Sequence, residues 1–326
     1  MVHYKTKCLF FTIISALSVF IIIKSIHGYN FAMPILDISR SARLPQPPTI
    51  SWFQQQIDTF VTQRSEELLS SRSSKFKCEK ALYYFKNIDT LFTEVPKSGC
   101  TNWKELLLVA NGNLVIGNYV RKQDGFIGRL VRKLKLKLTQ LGMHHDNAVF
   151  SESFKFAVVR NPFTRIVSGY RDKLTRNDSN YTEEGVRQSI LTEIRGQTSG
   201  PYNSTPTFHE FVSWLVKHRG SGNFHFMPQT KILCLPMMKY NYIVPLEFSE
   251  VLSKELCDKM GITTTLREQY DGLSDPHVQS STKFAKEEFP KLDKWLIEEL
   301  YDIFRLDFEM LSYSNFTHPD FPLPMI

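Results

Sequence analysis

A chain of 326 residues, 42% hydrophobic and 13% aromatic, can bury a substantial core, which excludes a disordered or low-complexity protein. The net charge of +7 includes Lys5, Lys7 and Lys24 in an acid-free N-terminus; the remainder carries 37 basic against 33 acidic residues, a net +4. That mild excess suits an anionic ligand, and no zinc-finger, RNA-recognition or basic-helix pattern accompanies it to indicate nucleic acid.

The chain opens on the basic flank MVHYKTK, followed by the unbroken apolar or hydroxyl run Cys8–Ile23. This pattern predicts a cytoplasmic tail over 1–8, a signal-anchor transmembrane helix over 9–26 and a lumenal body. A cleaved signal peptide ending near Gly28 has the same flanks and is the alternative. Residues 27–75 read as a stem, with Pro45, Pro47 and Pro48 and a Ser/Gln-rich stretch. Within it Trp52–Leu69 can form a helix that packs on the domain or on a second copy in a homodimer. The globular domain is expected over 76–326.

Inside that domain, Asp89–Val95 reads as a strand and Asn102–Ala110 as a helix. Arg121–Leu138 is an amphipathic helix by the spacing of Ile127, Leu130, Val131, Leu134 and Leu138. Phe154–Val159 is a second buried strand, and Pro162 can open the helix Phe163–Leu174 because a first-turn proline forfeits no hydrogen bond. His209–Lys217 is a helix, Tyr240–Pro245 a short strand, and Lys286–Met310 mostly helical. Strands alternating with helices predict an α/β fold, a P-loop-like parallel β-sheet flanked by helices. Ligands in such sheets bind beyond the carboxyl ends of the strands.

Four sequons agree with a lumenal body, at Asn177, Asn180, Asn203 and Asn315. An oxidising lumen permits disulfides among Cys78, Cys100, Cys234 and Cys257, with Cys234–Cys257 the preferred bridge. No CxxC pair or His/Cys cluster at zinc spacing supports a metal site.

Two segments carry chemistry. In Leu91–Trp103, LFTEVPKSGCTNW, an apolar run ends in Pro96-Lys97-Ser98-Gly99 and a helix follows directly. Amides at a helix N-terminus, the positive end of its dipole and a lysine make such a loop an anion cradle. Ser98 and Thr101 add hydroxyl donors. It is not a Walker loop, because the lysine precedes the glycine. In Phe156–Lys173, FAVVRNPFTRIVSGYRDK, Arg160 stands at a strand end and Ser168 lies about two turns into the next helix. That pair can clasp a second phosphate. Two phosphate sites on one sheet edge suit a nucleotide phosphorylated at both ends. Alone, either segment reads equally as an ordinary strand-to-helix turn.

With these residues, VPKSGCTNWK and RNPFTRIVSGYRDK resemble the two 3′-phosphoadenylyl-sulfate (PAPS) motifs of the Golgi carbohydrate sulfotransferases. The similar group contains the HNK-1 and the chondroitin, dermatan and GalNAc 4-O-sulfotransferases. Weaker echoes follow in TFHEFVSWL, NFHFMPQTKILCLP and YNYIVPLE. The chain departs from the family at Asn161, where an acid is usual, and at His225-Phe226, where His-Trp is usual. It departs again at Cys234-Leu-Pro-Met, which lacks one expected cysteine.

The resemblance implies a PAPS-dependent sulfotransferase fold, a lumenal catalytic domain in a type II Golgi membrane protein, and a glycan acceptor. It implies that Pro96, Lys97, Ser98, Gly99, Cys100, Thr101 and Asn102 bind the 5′-phosphosulfate and that Arg160 and Ser168 bind the 3′-phosphate. Lys97 would then stabilise charge on the departing oxygen. Hydroxyl attack also benefits from a base with a pKa near working pH; His225 is the first candidate, with His144, His145 and Glu247 as alternates. No metal is required. The basic segment Arg121–Lys137 reads either as a solvated helix face or as a track for a polyanionic glycan. Two rivals stand beside this reading, an inactive glycan-binding protein of the same fold and an ATP-dependent glycan kinase.

Overall fold

The computed structural model describes residues 49–71, 78–115, 125–141, 148–176, 183–196, 204–220, 223–263, 266 and 277–311. The expected anchor and tail, the four sequons, His144 and His145 lie outside these residues. Among the described residues no helix is long and apolar enough to cross a membrane.

Four strands form the sheet: β1 (Leu82–Phe85), β2 (Thr90–Thr93), β3 (Phe154–Val159) and β4 (Tyr242–Pro245), in spatial order β1-β2-β3-β4. The β2–β3 and β3–β4 pairs are parallel, with Phe92 beside Phe156 and Val158 beside Val244. Both faces are covered, so β3 reads as a near-continuous apolar run with no alternation. The expected all-parallel sheet is corrected by β1, which pairs antiparallel with β2 through a hairpin whose turn places Asp89 at φ 40°.

The principal helices are α1 (Ile50–Gln63), α2 (Cys100–Ala110), α3 (Phe126–Lys133), α4 (Pro162–Lys173) and α5 (Glu184–Glu193). They continue with α6 (Phe208–Lys217), α7 (Ser249–Lys259), α8 (His277–Glu288) and α9 (Lys294–Met310). Residues 286–310 are mostly helical as expected, with Pro290 in the short 3-10 turn Phe289–Lys291 separating α8 from α9.

Helix α1 falls in the segment that reads as a stem. The Thr49 hydroxyl caps α1 by accepting from the Trp52 N–H at 3.2 Å, and the helix buries Ile50, Phe53, Ile57 and Phe60. Gln54 Oε1 accepts the Ile243 N–H at 2.8 Å, satisfying a donor on the outer edge of β4. Helix α1 is therefore tied to the edge of the sheet.

Two further expectations are corrected. The helix over 121–138 is, in its described part, α3 alone: Lys135 turns left-handed at φ 53°, and Leu136 leaves to accept the Tyr84 N–H on the edge of β1. The disulfide joins Cys78 to Cys234, not Cys234 to Cys257. Cys257 is fully buried with Phe92, Phe156, Val158 and Val244, whereas Cys234 packs with Leu91, Ala157, Val159 and Ile243. Alternate residues of a strand face opposite sides, so the sheet stands between Cys234 and Cys257.

Candidate active site

The turn after β2 delivers the anion loop to the carboxyl edge of the sheet. Lys97 adopts φ 70° and Gly99 φ 71°, so two left-handed residues bend the chain into α2. Glycine is required at 99: a Cβ would combine backbone strain with a 3.0 Å approach to Leu246 Cδ1. Among the described residues no side chain caps the start of α2 by a hydrogen bond. Trp103, 1% exposed, packs edge-on against Phe156 at 5.3 Å between centroids and fixes α2 to the sheet.

The structure brings the two motifs together. The Arg160 guanidinium is buried, donating from Nη1 to the Lys97 carbonyl at 3.2 Å and from Nε to Thr164 Oγ1 at 3.1 Å. From the same loop the Lys97 amine reaches Asp172 Oδ2 at 3.1 Å, near the far end of α4. Ser168 and Asp172 stand four residues apart and share a face of α4, so the Lys97 amine lies on the side that carries Ser168. Burial would raise the Asp172 carboxyl, but Lys97 and Lys173 outweigh it and hold it at about 2. Lys173 Nζ lies 3.3 Å from Asp172 and Arg176 Nη1 3.0 Å. One carboxylate thus serves three cations, an arrangement rich in positive charge.

Of the other motif residues, Ser98 is fully buried, Cys100 opens α2, Thr101 is exposed and Asn102 is half-buried. The asparagine in the acid's usual place still caps α4, with Asn161 Oδ1 accepting from Phe163 N at 3.0 Å and Thr164 N at 3.1 Å. Glu247 Oε1 accepts the Asn161 N–H at 2.7 Å, which engages that alternate base in holding the turn.

His225 stands against the second half of α4. A Cβ at Gly169 would meet Phe226 Cε1 at 2.9 Å and the His225 carbonyl at 3.6 Å, so glycine there permits the close approach. His225 Nδ1 lies 2.9 Å from Glu183 Oε1.

Three further residues complete the site. Arg165, fully buried, donates from Nε to Pro96 O at 3.0 Å and from Nη1 to Met227 O at 2.9 Å, tying the Lys97 loop to the His225 segment. Burial lowers its guanidinium to about 10, with Asp307 opposing that shift. Gln229 Oε1 accepts from Arg160 N at 2.9 Å while its Nε2 donates to Arg160 O at 2.7 Å. Asp307 in turn accepts from the backbone N–H groups of Gln229 and Thr230 at 2.7 and 2.9 Å. In sequence, Arg165 lies in RNPFTRIVSGYRDK, Gln229 in the echo NFHFMPQTKILCLP and Asp307 in a further echo, LYDIFRLDFEML.

Residues 82–314, most of the domain and all of this site, match the model of the sulfotransferase family. The chain belongs to the sulfotransferase family. The chain is 27% identical over 233 residues to carbohydrate sulfotransferase 8 of Homo sapiens, covering 69% of this chain and 53% of that protein. It is 26% identical over 244 residues to carbohydrate sulfotransferase 11 of Mus musculus, covering 72% and 67%. With carbohydrate sulfotransferase 10 of Rattus norvegicus it shares 25% identity over 298 residues, covering 85% and 78%. The chain spans about half the length of the first of these relatives, 53%. No solved structure gives a significant match.

Proposed function

We propose that this sulfotransferase moves a sulfuryl group from PAPS to a glycan hydroxyl, on a chondroitin/dermatan-type or GalNAc-containing chain. Its setting is the Golgi lumen, behind a type II membrane anchor. The observation that carries the reading is the joining of two anion-binding segments at one sheet edge, with Lys97 reaching the Ser168 face of α4. The names of the relatives support a carbohydrate acceptor, and the chain type rests on the motif resemblance.

The residues fit a doubly anionic donor. The Lys97 amine already pairs with a carboxylate, and the first turn of α2 lacks a side-chain cap, so both are suited to the oxygens of a phosphosulfate. Bound PAPS supplies the activated sulfuryl group. Pro96 to Asn102 receive its 5′ end, and Arg160 and Ser168 its 3′-phosphate. Lys97 holds the negative charge that develops on the departing phosphate oxygen. His225 takes the proton of the attacking hydroxyl. Arg165 and Gln229 keep these groups in register, because both bond the backbone of the loops that present them.

Retention on immobilised 3′,5′-bisphosphoadenosine tests the donor directly. The protein should bind and elute with free nucleotide, and Arg160→Ala should lower retention at least about tenfold through loss of a charged contact. Failure of the wild-type protein to bind would overturn the nucleotide assignment.

A further inference from the structure

We propose that Glu183 is the positioning residue of the base, fixing His225 through Nδ1 so that Nε2 is the basic nitrogen; this rests on the role given to His225 above. The two oxygens of Glu183 are both committed. Oε1 lies 2.9 Å from His225 Nδ1, and Oε2 accepts from Asn223 Nδ2 at 3.0 Å. Asn223 closes the arrangement, since its Oδ1 accepts the His225 backbone N–H at 2.8 Å. The ring and the backbone of His225 are therefore held by one connected pair of side chains.

That pair is anchored to the site. The Glu183 N–H donates to the Lys173 carbonyl at 2.9 Å, one residue beyond the Asp172 carboxylate that holds Lys97. On the other side, the Met227 carbonyl is tied through Arg165 to Pro96. His225 Nδ1 is itself buried and makes no hydrogen bond of regular geometry, so the Glu183 carboxylate 2.9 Å away is the charge that meets it.

The contact with His225 draws the Glu183 carboxyl below its usual range; burial opposes this, and the charges of His225 and Lys173 add to it. Glu183 therefore stays ionised beside the ring. In a neutral imidazole only one nitrogen carries hydrogen, so a proton on Nδ1 facing a carboxylate leaves the lone pair on Nε2. As the acceptor oxygen bonds to sulfur, its proton passes to Nε2. The bond from sulfur to the phosphate oxygen breaks, and its electron pair leaves with the phosphate. The imidazolium so formed is stabilised by Glu183, which keeps its own charge throughout. A surface ion pair without this role would be worth little and would not govern turnover.

Two measurements on the purified protein test the assignment. In the donor-free protein, imidazole nitrogen NMR should show His225 with hydrogen on Nδ1, and Glu183→Ala should move it to Nε2. In steady-state transfer from PAPS, Glu183→Ala should lower kcat at least about tenfold while retention on 3′,5′-bisphosphoadenosine is unchanged. Glu183→Gln keeps an acceptor for Nδ1 but not the charge, and should restore the tautomer with only part of kcat. If His225→Ala itself leaves kcat unchanged, the base is elsewhere and the reading above fails with it. If His225→Ala abolishes transfer while Glu183→Ala changes neither tautomer nor kcat, the positioning role of Glu183 alone is overturned.

Discussion

Lys97→Ala is expected to lower kcat for sulfuryl transfer by about 10²–10³-fold while the protein stays folded. Three features set that magnitude. Lys97 is the one motif side chain that leaves the anion loop to meet an anion on α4, with its amine 3.1 Å from Asp172. Its backbone is held independently of that amine, through the Arg160 bond to the Lys97 carbonyl, so truncation leaves the loop in place. The amine is also only partly exposed, at 20%, so its charge acts in a medium less polarisable than water. Lys97→Arg should recover little, because a planar guanidinium does not replace a compact ammonium at a single departing oxygen. Initial rates at saturating donor, with far-UV circular dichroism as the control for folding, check the expectation. An alanine variant with wild-type kcat would remove Lys97 from the chemistry.

The largest effect on stability should come from Lys104→Met, which is expected to cost about 3–5 kcal/mol. Lys104 Nζ sits 2.7 Å from Glu94 Oε1 with its side chain 7% exposed, and the Tyr83 hydroxyl donates to Glu94 Oε2 at 2.8 Å. Burial would raise the Glu94 carboxyl, but Lys104 and then Tyr83 overcome it and hold it at about 2. Removing Lys104 leaves a buried carboxylate without its close cation. Combining it with Glu94→Gln removes the orphaned charge, so urea unfolding should show the double variant more stable than Lys104→Met alone. The sign with pH follows from the depressed folded value. Glu94 contributes stability above its unfolded value of about 4.5 and loses that contribution as pH falls toward 2. The stability difference between the wild type and Lys104→Met should therefore be largest above about pH 4.5 and narrow as pH falls, because protonation relieves the unpaired buried carboxylate of the variant. A difference in unfolding free energy that stayed constant from neutral pH to about pH 3 would contradict the pairing.

These two residues flank the segment that sequence made most legible. The strand, turn and helix order of Leu91–Trp103 is local: an apolar run stops at Pro96, and α2 starts at Cys100, two residues before its expected start. The strand Phe154–Val159 has the boundaries expected of it, because Arg160-Asn161-Pro162 ends the apolar run and opens α4. The hairpin partner β1 was missed because LYYF is four residues long and precedes a polar turn, too short for a period to register. Gln229 and Asp307 were not singled out, for a different reason. Gln229 bonds Arg160 across 69 residues and Asp307 holds Gln229 across 78, and such contacts leave no trace in local spacing. The same holds for Cys78–Cys234, separated by 156 residues. His225 was legible as a residue type in a family-like segment, whereas its partner Glu183 lies 42 positions earlier and became visible only through the fold.

Transfer to a panel of chondroitin, dermatan and desulfated heparin, run in parallel with PAPS labelled in the sulfuryl group and ATP labelled in the γ-phosphate, tests the central claim most directly. Label should pass from PAPS to at least one chain, should depend on Lys97, and should not pass from ATP. Label reaching a glycan from ATP, or none from PAPS to any chain despite retention on 3′,5′-bisphosphoadenosine, would contradict it.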